Sequence, residues 1–320
     1  MKFQILIPTY NRGETLQRNL NYLLSEIKNH QLQSDIGIIV SDNASTDGTF
    51  AILENLLPSF KKEGIDYNIY QNEENTGLEA NGVRTLSYAT SEYVIWLGDD
   101  DFLPEGFLEY VVSTFKSENI GWMLTGAIAE YSDGSRANTY YVDYDEKIFQ
   151  EGFETIWTVS HVGHKMSGLV IKREGVLESY TSKPEWRNLY LYIYFLVHNQ
   201  VRYPGIFAAK YKVLVNTYNK KDFSYNTIGC LDEVFKSYNY LIEVYGLKKV
   251  IKLILRFVIL HSYRINFSAG LNSLLKQWKI IYKGYQFGDK LKWGLLRVLL
   301  KEYVKQNIYL PIFNPKKKTS

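Results

Sequence analysis

Residues 93–102 read YVIWLGDDDF, an apolar run that leads straight into three adjacent aspartates, Asp99, Asp100 and Asp101. Neighbouring carboxylates repel one another, and a buried strand offers no water to solvate them. Two arrangements relieve that repulsion. In one, the aspartates open a helix whose N-terminal dipole favours acidic side chains, and Pro104-Glu105-Gly106 follows closely enough to allow it. In the other, they hold a hard divalent cation at the C-terminal end of a parallel strand, where oxygen ligands are what such a cation prefers.

The elements that must position this cluster follow from the hydrophobic pattern. Residues 3–7 form a short buried strand, followed by the loop PTYNR at 8–12. Leu16, Leu20, Leu23, Leu24 and Ile27 then recur at helical spacing. IGIIVSD at 36–42 is a second buried strand, and the polar turn at 41–49 can cap a helix starting near Thr49, with Ile52, Leu53, Leu56 and Leu57 as its apolar face. A more exposed strand at 67–72, a loop and helix at 74–90 and the run YVIWLG at 93–98 complete the series. Strands alternating with helices predict an α/β fold, with a mostly parallel, Rossmann-like sheet flanked by helices. Ligands of such sheets lie beyond the carboxyl ends of the strands, where PTYNR, SDNASTD and GDDD all fall. That convergence favours the cation over the helix cap.

The second half predicts a strand and turn at 121–135, a loop and strand at 161–174, a helix over 184–200 and one or two strands at 202–216. From Gly229 onward the pattern becomes helical. Leu231, Val234, Phe235, Tyr238, Leu241, Ile242 and Tyr245 share one face, and Leu271, Leu274, Leu275, Trp278, Ile281, Tyr282 and Tyr285 repeat the spacing. Residues 229–320 carry 17 Lys and Arg against 5 Asp and Glu, a net +12, which leaves −9 on residues 1–228. A basic tail on an acidic body predicts that the tail faces something anionic.

With 46% hydrophobic and 22% charged residues, the 320-residue chain has ample material for a packed core and does not read as disordered. The single cysteine, Cys230, excludes an internal disulfide framework and a multi-cysteine metal site, and points to the cytosol. Residues 3–7 are too short a run for a signal peptide, and no uncharged stretch approaches the ~20 residues that span a bilayer. Nucleic-acid binding is not expected, because the basic tail contains no recognisable module for it.

Four segments in order and at matching spacing, ILIPTYNR (5–12), IIVSDNASTDGT (38–49), NTGLEANGVRTL (75–86) and WLGDDDFLPEGFL (96–108), resemble the inverting glycosyltransferases of family 2, of bacterial surface-polysaccharide type. The resemblance covers roughly residues 1–115. It implies the GT-A nucleotide-sugar-binding fold, with residues 1–228 as catalytic domain (1–115 binding the nucleotide sugar, 116–228 the acceptor) and 229–320 as a basic amphipathic helical module. Gly98 stands where many relatives carry an acidic residue, so the Asp-x-Asp motif takes the form Gly-Asp-Asp-Asp.

The resemblance assigns Pro8, Thr9, Tyr10 and Arg12 to the nucleotide pocket, Tyr10 stacking on the base. Asp42 would accept a hydrogen bond from a uracil-like imide, Arg84 would assist the phosphates or the base, and Asp99 and Asp100 would contact the donor. Asp99 and Asp101 would hold Mn²⁺ or Mg²⁺. Glu185 stands in the register of the catalytic base, at the start of the predicted 184–200 helix, and His161 and His164 are acceptor-side candidates. Each residue also has a structural reading: Tyr10 packed over the sheet edge, Asp42 capping the next helix, Arg12 paired with Glu14, Glu185 serving the helix dipole, and the two histidines bonded within their loop.

The implied activity is metal-dependent transfer from a nucleotide-diphosphate sugar, UDP-sugar favoured, to a saccharide or lipid-linked saccharide. A sugar-nucleotide nucleotidyltransferase and a non-catalytic nucleotide- or membrane-binding protein are the alternatives. Off-face Lys276, Lys279, Lys283, Lys290 and Lys292 suit an anionic membrane surface, hence a peripheral place at the inner face of the cell membrane. Packing of these helices on the catalytic core or in a homo-oligomer is the other reading.

Overall fold

The computed structural model describes residues 2–138, 146–217, 231, 233–265, 267, 275, 277, 278, 281, 282 and 285–309. Cys230, Leu271, Leu274, Lys276, Lys279 and Lys283 fall outside the described residues. The chain forms two compact units, Met1–Pro184 with Leu191–Lys220, and Glu185–Tyr190 with Lys221–Ser320.

The first unit alternates strictly through its first hundred residues: β1 (Phe3–Thr9), α1 (Gly13–Asn29), β2 (Ile36–Asp42), α2 (Thr49–Lys62), β3 (Tyr67–Gln71), α3 (Leu78–Ser87) and β4 (Tyr93–Trp96). Then follow α4 (Phe107–Ser117), β5 (Trp122–Glu130), the short β6 (Arg136–Asn138) and β7 (Ile148–Phe149), and α5 (Phe153–Val159). The unit closes with β8 (Leu169–Lys172), α6 (Val176–Thr181), α7 (Leu191–Gln200) and β9 (Gly205–Asn216). One sheet runs β3-β2-β1-β4-β8-β5-β9-β7, with β6 beside β5. β3, β2, β1 and β4 are mutually parallel, while β8 enters antiparallel between β4 and β5.

Side chains alternate across the sheet. Phe3, Ile5 and Ile7 of β1, Tyr93 and Ile95 of β4 and Leu97 just after it join Leu16, Leu20 and Leu23 of α1 and Val111 and Phe115 of α4 in one core. On the opposite face Trp96 meets Tyr192 and Phe195 of α7, ring centroids 4.9 and 5.8 Å away. All ten residues of α7 are buried. This helix has no polar face, so its apolar run carries no helical period.

Two of the alternative readings fall away and one expectation changes. The triple aspartate does not open a helix: α4 begins at Phe107 behind Gly106, and the Asp101 N–H bonds Gly98 O at 3.2 Å in a turn. Asp42 does not cap α2 either, because Asp47 takes that place, accepting from the Thr49 N–H at 3.0 Å. The helix predicted over 184–200 starts at Leu191, and Pro184–Trp186 forms a separate 3₁₀ turn. Asn188 explains the break, since its amide donates to Trp186 O (2.8 Å) and accepts from the Tyr190 N–H (2.7 Å), diverting backbone groups from a helical ladder.

In the second unit, α8 (Val234–Ser237), α9 (Tyr240–Tyr245), α10 (Leu247–Leu260) and α11 (Asp289–Val304) bear out the helical reading. Ser237 Oγ donates to Asn188 Oδ1 at 2.9 Å and Trp186 packs edge-on against Tyr240, which ties residues 185–190 to this unit. No helix among the described residues is long and apolar enough to cross a membrane.

Candidate active site

β1 lies between β2 and β4, so successive connections leave it in opposite directions and a crevice opens at its carboxyl end. The 8–12 and 98–101 loops flank this switch point. Thr9, the last residue of β1, donates its hydroxyl to Asp99 Oδ2 at 2.8 Å. Burial, then the Asp100 charge, push the Asp99 carboxyl up to about 7; the Thr9 bond and the Arg12 guanidinium oppose the rise and Asp101 adds to it. The fold thus holds Asp99 where its charged form is poorly solvated and lies against a second carboxylate. Such a site is suited to a hard cation.

The three aspartates have different duties. Asp101 Oδ2 accepts from Ser167 Oγ at 2.5 Å and Oδ1 from the Asn216 N–H at 3.3 Å. The same Ser167 oxygen accepts the Gly98 N–H at 2.9 Å, and Asn19 of α1 donates to the carbonyls of Asp101 (2.7 Å) and Gly98 (3.3 Å). Asp101 is thus the clasp of the acidic loop. Gly98 belongs to this clasp as well. A Cβ there would stand 3.0 Å from Asp101 Oδ2 and 3.1 Å from Ser167 Oγ, so a side chain at 98 would press on the Ser167–Asp101 bond and require it to give by a few tenths of an ångström.

Asn216 reaches the loop through an irregularity in β9. Pairing with β5 passes from Thr125↔Ala208 to Gly126↔Lys212, so residues 209–211 bulge, and Tyr211 packs on Tyr110 with centroids 4.7 Å apart. Beyond the bulge Leu214 bonds Phe102 in both directions at 2.9 Å, bringing the strand end under the aspartates.

Asp42 is fully buried at the end of β2, and its carboxylate accepts from Ser45, both N–H and hydroxyl, and from Gln71 Nε2 at 3.1 Å. The 8–12 loop is pinned to this turn, as the Asn11 N–H donates to Ser45 Oγ (2.8 Å) and Asn11 Oδ1 accepts from the Thr46 N–H (2.8 Å). Below them runs a buried amide network. Asn81 accepts from Ser41 Oγ (2.8 Å) and Asn72 Nδ2 (3.1 Å), while Asn43 accepts from Asn72 (2.8 Å) and Thr76 (3.0 Å). It locks the turn after β2 to the start of α3.

Tyr10 is 42% exposed at the mouth of this region, with Pro8 and Arg12 half-buried beside it. Tyr192 lies beneath. Its hydroxyl is buried with no hydrogen-bond partner among the described residues, and burial, then the charges of Asp99 and Glu79, hold it protonated well above the ordinary tyrosine range. The indole N–H of Trp96 is likewise buried and unpartnered among the described residues. Buried donors without a protein partner are groups that a ligand or an ordered water can satisfy.

Arg84 is exposed near the C-terminal end of α3, about 9 Å along the helix axis from the end that faces the amide network. His161 and His164 occupy the 3₁₀ turn Ser160–His164, where His164 Nδ1 contacts His161 O at 2.8 Å; the chain reaches Ser167 three residues later. Glu185 is exposed and belongs to the second unit. Sequence reasoning passed over Asn19, Ser167, Tyr192, Asn216 and the amide network. Asn19 alone had a local signal, as a polar residue on the apolar stripe of Leu16, Leu20 and Leu23. Among the described residues no three His, Cys, Asp or Glu side chains are grouped to hold a metal ion.

A doubly wound sheet with a carboxylate cluster at its switch point is the architecture of the GT-A fold. The chain belongs to glycosyltransferase family 2, whose family model matches residues 4–169. It is similar to the abequosyltransferase RfbV of Salmonella typhimurium, 34% identical over 122 residues that cover 37% of this chain and 34% of that protein. It also resembles the GalNAc(5)-diNAcBac-PP-undecaprenol beta-1,3-glucosyltransferase of Campylobacter jejuni, 34% identical over 107 residues, 33% of this chain and 32% of that protein. The chain thus aligns with about a third of the length of each. Among solved structures, Staphylococcus aureus TarS 1-349 in complex with UDP-GlcNAc shares the fold at TM-score 0.68 and 14% identity, over 95% of this chain and 89% of that one.

Proposed function

We propose that the chain transfers a sugar, with inversion, from a nucleotide-diphosphate donor to a saccharide or lipid-linked saccharide in the synthesis of a cell-surface polysaccharide. The observation that carries this reading is the charge-burdened Asp99–Asp100 pair facing Thr9 and Arg12 at the sheet's switch point. A UDP-sugar is the donor to test first, because a fold neighbour was solved with UDP-GlcNAc. An undecaprenol-linked acceptor in the name of one relative supports a lipid-linked acceptor here.

Bound Mn²⁺ or Mg²⁺ would supply neutralisation of the charge that grows on the departing diphosphate. Asp99 and Asp100 would hold it, rather than Asp99 and Asp101, since both Asp101 oxygens serve the clasp. Two carboxylates are enough for such a cation when the donor's phosphates complete its shell. Thr9 orients Asp99, Arg12 offers the phosphates a positive charge, and Tyr10 offers the base a face. Asp42 would accept an imide N–H once Ser45 turns away from it. Glu185 remains the candidate to take the acceptor's proton, in the register that the family resemblance gives it.

Calorimetric titration with UDP, TDP, CDP and GDP, with and without Mn²⁺, tests the reading. Expected is binding of one nucleotide that requires metal and is lost in Asp99→Asn and Asp100→Asn. Folded protein that binds none of the four overturns it.

A further inference from the structure

Exposed large apolar side chains are concentrated in the second unit: Leu275 (71% exposed), Trp278, Tyr282 (77%), Trp293 (55%), Leu300, Val304 and Ile308 are the most telling. On α11 the inner face is Leu291, Leu295 and Leu299, all buried. Trp293, Leu300 and Val304 project from the opposite side, about half a turn away at 100° per residue, with exposed Arg297 among them and exposed Lys290 and Lys301 flanking. A helix that is apolar on both sides has a second surface to cover. Leu275, Trp278 and Tyr282 repeat the pattern at i, i+3, i+7, with Gln277 and Ile281 buried on the other side.

α10 presents a different outer face. Val250, Ile251, Leu253, Ile254, Phe257 and Val258 are buried, and the other side carries Lys248, Lys249, Lys252 and Arg256. Two occupants compete for such a surface. A second copy would bring one +12 segment against another, and like charge opposes that union. A bilayer with anionic headgroups supplies the missing sign for the lysines and an apolar phase for tryptophan, leucine and valine, whose place at an interface is beside the headgroups.

We propose that the outer face of α11, with Leu275, Trp278 and Tyr282, is a docking surface for an anionic lipid bilayer, held there by the basic excess of the segment. The proposal stands on the surface chemistry of the second unit and does not depend on the transfer reaction. It would seat the enzyme in the plane that contains a lipid-linked acceptor.

Flotation of the full chain with phosphatidylcholine vesicles, with and without phosphatidylglycerol, is the test. Expected is binding that requires phosphatidylglycerol, weakens with salt, and falls at least about tenfold in the triple variant Trp293→Ser, Leu300→Ser, Val304→Ser. Lys290→Gln with Lys301→Gln should cost about fivefold per charge. Circular dichroism and nucleotide titration of the same variants establish that the fold and the donor site persist, so loss of docking is separable from failure of the transferase reading. Absence of binding by the wild-type chain at low salt overturns the proposal. So does equal binding to both vesicle types, or a concentration-dependent dimer in light scattering that the triple variant abolishes.

Discussion

Replacement of Ser167 by alanine tests the assignment of Asp101 to the clasp. The hydroxyl makes two bonds, donating to Asp101 Oδ2 at 2.5 Å and accepting from the Gly98 N–H at 2.9 Å. A hydrogen bond to a charged group contributes about 1.5–3 kcal/mol, and a buried N–H left unsatisfied costs about 1–3 more. Ser167 is half-buried, so water can enter and recover part of the loss, and Asp101 keeps its bond to the Asn216 N–H. The expected destabilisation is about 2–3 kcal/mol, or roughly 5–10 °C in the melting temperature of a unit this size. Asp101→Asn should be only partly additive with it, with a coupling of about 1–2 kcal/mol in the double-mutant cycle. Melting of the four proteins by circular dichroism gives the numbers, and titration with UDP and Mn²⁺ shows whether Asp99 and Asp100 stay in place. If Ser167→Ala melts with the wild type, or the two substitutions add fully, the clasp does not exist and Asp101 returns to the ligand set.

Gly168→Ala should be more severe, by roughly 2–5 kcal/mol, because the residue has φ +84° and a Cβ would collide with Thr125 Oγ1 and lie 2.7 Å from Val213 Cγ2. A soluble variant of unchanged melting temperature would contradict that packing. Burial, then the Arg202 charge, lower His198 from 6.5 to about 3, so the folded chain keeps it neutral while the unfolded chain protonates first. Stability from this residue is therefore present above about pH 6.5 and lost as pH falls toward 3, about 2 kcal/mol of it by pH 5. Urea unfolding at the two pH values should show a shallower pH slope in His198→Gln, and equal slopes would refute it. Glu185→Gln should lower kcat about 100-fold or more while leaving nucleotide affinity intact; full turnover in that variant would move the search for the base to His161 and His164.

Periodicity and punctuation alone marked the first half of the sheet. IGIIVSD became β2 with the same bounds, and the PTYNR, SDNASTD and GDDD loops fell at strand carboxyl ends, because alternation of short apolar runs with amphipathic helices leaves few ways to bury both. Asn188 shows where such reading stops: the apolar run from 189 looked helical from its first residue, yet one amide two residues before Tyr190 redirected the backbone. The identity of the cluster, carboxylates beside the 8–12 loop, was likewise written in adjacent residues. The division of labour within it was not. Asp101 is claimed by Ser167 and Asn216, 66 and 115 residues away, and Asp42 by Gln71, 29 residues away. The Asp101 pairings exist because β8 inserts antiparallel beside β4 and a bulge re-aims the end of β9, and the Asp42 pairing because β2 and β3 run parallel with Asp42 opposite Gln71; strand order and register are properties of the packed sheet. Local sequence determined which groups could do chemistry. The tertiary structure decided which of them are already spent on one another, because only the packed sheet brings residues so far apart in sequence within hydrogen-bond reach.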